Sequence, residues 1–110
     1  MYRVLIVDDE PLVAANIRAA LEEVRDQFPV EAVAGNGREA LRLIEERRPD
    51  IVVTDILMPG MTGIDLLRAC GSRFPETRFV IVSGHAEFEY ARAAMECGAV
   101  SYCLKPLQDE

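Results

Sequence analysis

Short apolar runs of strand length alternate along this chain with longer segments whose apolar residues return at helical spacing. Val4 to Val7 reads as the first strand. Leu12, Val13, Ile17, Leu21 and Val24 then mark one face of a helix opened by Pro11, whose fixed φ and missing N–H suit the first helical position. Phe28-Pro29 ends that helix. Val30 to Ala34 is a second strand, interrupted by Glu31, and Gly35-Asn36-Gly37 leads into a helix carrying Ala40, Leu41 and Ile44 inward until Pro49-Asp50. Ile51-Val52-Val53-Thr54 is a third strand whose β-branched run suits a central position covered on both faces. After the loop Asp55 to Thr62 the pattern predicts a helix from about Gly63 to Ser72 and a fourth strand over Phe79 to Val82. A helix from Glu87 to Cys97, stopped by Gly98, and a fifth strand over Val100 to Leu104 follow.

This βα alternation predicts one α/β domain over residues 1–110, with a five-stranded parallel sheet wound on both faces. In such folds sites form beyond the carboxyl ends of the strands. The first polar residues after the strong strands are Asp8 with Asp9, Asp55, Ser83 and Lys105. Three carboxylates, one hydroxyl and one ammonium are therefore expected at one end of the sheet.

Composition narrows the partners. The chain is 50% hydrophobic, enough for a real core, and its 12 basic against 19 acidic side chains give a net charge of −7 with no basic stretch. That is a poor electrostatic match for nucleic acid or an anionic membrane, so no direct contact with either is expected. Cys70, Cys97 and Cys103 are odd in number and form no C-x-x-C, as reduced thiols would. No apolar run approaches membrane-spanning length, and the expected location is cytoplasmic.

Clustered carboxylates repel one another unless a cation sits among them. Oxygen ligands without His or Cys favour magnesium. Lys105 adds a fixed positive charge and Ser83 a hydroxyl donor, and with the metal they could neutralise a transferring phosphoryl group. An aspartate is a credible phosphoryl acceptor. Taken singly, each residue also has a plainer reading. Asp8, Asp9 and Glu10 could cap the first helix, Ser83 could be an N-cap, Lys105 an exposed lysine and Tyr102 a core aromatic. The run Met58-Pro59-Gly60-Met61-Thr62-Gly63 could be only a turn, Met58, Met61 and Met95 fill space, and His85 has no second ligand. A second enzyme-like pattern competes: Gly35-Asn36-Gly37-Arg38-Glu39-Ala40 fits the dinucleotide motif, with Asp55 at about the ~20-residue distance of a ribose ligand. It leaves Asp8, Asp9, Ser83 and Lys105 unexplained. Phosphatases with an Asp nucleophile usually show D-x-D after the first strand, which Asp8-Asp9-Glu10 lacks.

The chain resembles the response-regulator receiver domains of bacterial two-component systems. The resemblance rests on Val4 to Pro11 with its acid pair, Asp55 to Gly63, Ser83-Gly84, and Tyr102-Cys103-Leu104-Lys105-Pro106, all in the family's order and spacing. It implies a flavodoxin-like fold with strand order 2-1-3-4-5. It further implies Asp55 as phosphoacceptor and Mg2+ held by Asp9, Asp55 and the Leu57 main-chain carbonyl, with Asp8 acting through a metal-bound water. Ser83 and Lys105 would bind the phosphoryl group, Lys105-Pro106 would be a cis peptide, and Tyr102 would switch with Ser83 to alter the surface of the fourth helix and fifth strand. Leu57 and His85 would flank the approach of water. The donor would be a sensor histidine kinase or a small acyl phosphate, with self-catalysed phosphorylation and hydrolysis rather than turnover of an external substrate. A receiver-like module that is never phosphorylated is the remaining alternative.

Residues Ser83 to Arg92 and Gly98 to Tyr102 resemble receivers joined to AraC-type DNA-binding domains, implying a transcriptional output domain in the full-length protein. Leu107-Gln108-Asp109-Glu110 reads as the entry to a fifth helix that the chain then lacks. The expectation is a fragment with part of one sheet face bare, able to pair as a homodimer.

Overall fold

The computed structural model describes residues 1–56, 58–71, 73–83 and 88–104, with the backbone alone at 88, 90, 91, 102 and 104. Its elements are β1 (Val4–Val7), α1 (Pro11–Ala20), a 3-10 turn (Glu22–Val24), β2 (Val30–Ala34), α2 (Gly37–Arg47), β3 (Ile51–Thr54), α3 (Gly63–Cys70), β4 (Arg78–Ser83), α4 (Phe88–Glu96) and β5 (Ser101–Leu104). All neighbouring strands pair in parallel, in the order β2-β1-β3-β4-β5. This is the expected doubly wound, flavodoxin-like sheet. The expected fifth-helix entry, residues 107–110, lies outside the described residues.

Side chains on a strand alternate between faces, and here the alternation divides the core in two. Leu5, Val7, Val52, Phe79 and Ile81 pack with Ala40, Leu43 and Ile44 of α2, Leu66, Leu67 and Cys70 of α3, and Ala94 of α4. Val4, Ile6, Val53 and Val82 face the other way and pack with Ala14 and Ile17 of α1. β1 and β3 are buried on both faces, which is why β1 is apolar throughout and β3 is apolar up to Thr54 at its end.

Several inward positions differ from the expectation. Leu12 is 80% exposed, because it lies about 140° round the helix from Ile17, and Ala14 takes the inward place instead. Val24 is also exposed, since the α-helix gives way to the 3-10 turn and the apolar stripe loses its register. On α2 the buried stripe is Gly37, Ala40, Leu43 and Ile44, with Leu41 packed on its flank. β4 begins at Arg78 and includes Ser83.

Helix ends are set by local hydrogen bonds. The Asn36 side chain accepts from the Glu39 N–H at 2.8 Å, and the Glu39 carboxylate accepts from the Gly35 N–H at 2.9 Å, closing the N-terminus of α2. Thr62 and Asp65 form a capping box on α3. Gly98, at φ 107°, ends α4: its N–H donates to the Met95 carbonyl while the Ala99 N–H donates to that of Ala94.

Two predictions follow from the core. Ile44 is fully buried at the centre of the larger cluster, and Ile44→Ala is expected to cost about 2–5 kcal/mol in chemical denaturation. Burial, only partly opposed by the nearby Arg73 guanidinium and reinforced by Glu45, raises the Cys70 thiol from 9.0 to about 11. The folded state therefore holds this proton more tightly than the unfolded chain, so its stabilising contribution is complete below pH 9 and is lost as pH rises through 11. The wild-type chain should lose more stability than Cys70→Ala across that window, measured as the shift in denaturation midpoint.

Candidate functional site

β1 and β3 lie side by side with Val7 opposite Thr54, so the residues that follow them, Asp8 and Asp55, leave the sheet together. Their backbones are anchored before their side chains act. The Asp55 N–H donates to the Val7 carbonyl and the Asp8 N–H to that of Ala34, each at 3.0 Å, extending the parallel ladder to the rim. Asp8 and Asp55 are 2% and 6% exposed. Burying a carboxylate is costly unless it is hydrogen-bonded or paired. Asp55 Oδ1 accepts from the Ile56 N–H at 2.8 Å and Asp8 Oδ1 from the Glu10 N–H at 2.9 Å, fixing both carboxylates. Thr54, also buried, donates its hydroxyl to the Asp55 carbonyl at 2.9 Å.

Carboxylate oxygens of Asp8, Asp9, Glu10 and Asp55 lie within 4.8 Å of one another. Three of these were expected to converge. Glu10 was read only as part of a helix cap, and the structure brings its carboxylate into the group as well. Its place there goes with the turn in which Asp8 accepts from the Glu10 N–H. Glu10, at the N-cap of α1, makes no side-chain cap bond, so its carboxylate does not cap that helix.

Ser83 is the last residue of β4, fully buried, on the strand next to β3. Leu104 pairs opposite Ser83, which puts the carboxyl end of β5 beside that of β4. Leu57, Gly84, His85, Lys105 and Pro106 lie outside the described residues, as does the side chain of Tyr102.

The sheet order, the strand-end aspartates and the sequence around them meet in one family model, the response regulator receiver domain, which matches residues 4–110. The chain belongs to that family. The receiver is 36% identical over 110 residues to the uncharacterized transcriptional regulatory protein YesN of Bacillus subtilis, covering 100% of this chain and 30% of that protein. It superposes with a TM-score of 0.89 on the receiver domain of the putative response regulator NarL from Mycobacterium tuberculosis, at 33% identity, covering 97% of this chain and 86% of that one. A CheX–CheY complex with BeF3 and Mg2+ from Borrelia burgdorferi gives a TM-score of 0.86 at 27% identity, covering 97% of the receiver and 80% of that chain. The receiver spans 30% to 50% of the length of the first three curated relatives. None of its described helices is long and apolar enough to cross a membrane.

The four carboxylates stand close together in the receiver, and the two on the outside of the group, Asp9 and Glu10, are exposed. Asp9→Asn, at an exposed member of the group, should stabilise the chain in chelator by on the order of 1 kcal/mol.

Proposed function

We propose that the receiver accepts a phosphoryl group on Asp55 and uses it to control an output domain. The observation that carries this reading is the gathering of Asp8, Asp9, Glu10 and Asp55 at the ends of β1 and β3. The donor set fits a hard divalent cation, because every ligand atom in it is a carboxylate oxygen. Asp8, Asp9, Asp55 and the Leu57 carbonyl would hold Mg2+, with Glu10 at the edge of the site. When bound, the ion supplies positive charge that draws the acceptor and the phosphoryl oxygens together. The CheY complex, which contains BeF3 and Mg2+, supports both assignments.

An oxygen of the Asp55 carboxylate attacks phosphorus as the bond to the donor breaks. With a phosphohistidine of a sensor kinase as donor, the imidazole leaves and takes up a proton. Ser83 donates its hydroxyl to a phosphoryl oxygen and Lys105 pairs with the same group across a cis Lys105-Pro106 peptide. Drawing Ser83 inward lets Tyr102 turn, and the surface formed by α4 and β5 shifts between two populations. Leu57 and His85 flank the path of hydrolytic water, so the receiver removes its own mark.

The family setting supports a two-component role in the cytoplasm, and the matched relatives are named as transcriptional regulatory proteins. The receiver corresponds to less than two thirds of each, so the full-length protein would carry a further DNA-binding domain, of AraC type by resemblance. With its net charge of −7, the receiver itself leaves DNA to that domain. Pairing of two receivers would couple phosphorylation to output. A dinucleotide at Gly35-Asn36-Gly37 is disfavoured, because the N-terminus of α2 already receives Asn36 and Glu39, and the Glu39 carboxylate would repel a pyrophosphate.

Incubation with Mg2+ and acetyl phosphate is expected to add one phosphoryl mass to the wild-type chain and none to Asp55→Asn, read by intact mass. An unmodified wild-type chain, or equal modification of the variant, would overturn the assignment.

A further inference from the structure

The loop that leaves Asp55 returns to it. The Gly63 N–H donates to the Ile56 carbonyl at 2.8 Å, and a Cβ on Gly63 would stand 2.4 Å from the Asp55 carbonyl oxygen. Only glycine lets α3 begin so close to the acceptor's own backbone. Both ends of the loop are thus pinned, and its lateral position remains to be fixed.

That position is set by a contact with α2. A Cβ on Gly37 would come within 2.7, 2.8 and 2.9 Å of Met61 Cβ, Cγ and Sδ, so the Met61 side chain lies in the space that a methyl group would take. Met61 Cβ cannot swing clear by changing rotamer, because it is fixed by the backbone. Filling the notch would therefore push the loop main chain. The notch is rigid, since Asn36 caps α2 directly before Gly37 and Ala40 and Ile44 bury the helix against the sheet. Met61 also packs against the larger core cluster.

We propose that Met61, seated on Gly37, is a positioning residue that holds the loop between Asp55 and Gly63 at the distance the cation site requires. This rests on the Mg2+ site proposed above. Met61 acts by placing the backbone that carries the acceptor. Two substitutions disturb the contact from opposite sides: Met61→Ala leaves the notch empty, and Gly37→Ala overfills it.

Mg2+ affinity, titrated calorimetrically on the unphosphorylated chain, is expected to fall about tenfold in both variants, as when groups supporting metal ligands are lost. Met61→Leu should keep affinity within about twofold, because a side chain of similar volume still fills the notch. Ile17→Val, on the opposite face of the sheet, should lower stability and leave affinity unchanged. Exchange of the Gly63 amide with solvent should quicken in Met61→Ala. Wild-type Mg2+ affinity in Met61→Ala, or a loss in Ile17→Val as large as in Met61→Ala, would overturn the proposal, as would a wild-type chain that binds no Mg2+. If Gly37→Ala does not fold, Met61→Ala against Met61→Leu decides. A wild-type chain that binds Mg2+ but is not modified by acetyl phosphate would sink the phosphoacceptor assignment and leave the role of Met61 standing.

Discussion

Carboxylates gathered close together are the constraint around which the carboxyl end of this sheet is organised. Asp8 and Asp55 are buried, yet hydrogen bonds from the amides of Glu10 and Ile56 hold their carboxylates in place beside those of Asp9 and Glu10. A stiff frame keeps them there. The frame is the parallel pairing of β1 with β3, both buried on two faces and continued past their last residues by the amides of Asp8 and Asp55. Stability gained in the core thus holds the acidic rim together, and a cation bound there would shift the balance further toward the folded state.

The strand-and-helix order was legible because parallel strands covered on both sides need apolar, mostly β-branched runs, and Val4–Val7 and Ile51-Val52-Val53 supply them. The strand-end aspartates could be found by the same logic, since position after a strand is a one-dimensional property. Rotation about a helix axis is harder to read. Leu12 looked inward by composition but lies on the wrong side of α1, and the burial of Ala14 gave no hydrophobic signal of its own. Glu10 escaped for another reason. Its place in the carboxylate group depends on a tight turn at Asp8, which sequence spacing does not reveal.

Contacts between elements far apart in the chain were the least legible. Nothing in the order of residues tells that Met61 lies on Gly37, because the glycine looked like part of a phosphate-binding loop and the methionine like filling. Both are explained by one close approach of the loop to α2. The capped N-terminus of α2, which seemed to invite a nucleotide, instead offers the notch that receives this side chain.

The ring closed by the Gly63 amide and the Ile56 carbonyl makes the segment between them a spacer of fixed length. Its tip is open, with Pro59 and Gly60 exposed to solvent, whereas its two feet stand against buried backbone. Change of identity at Pro59 therefore meets little resistance, but an inserted or deleted residue would have to break the ring or drag α3 away from Asp55. In this part of the molecule the number of residues is under tighter constraint than their nature.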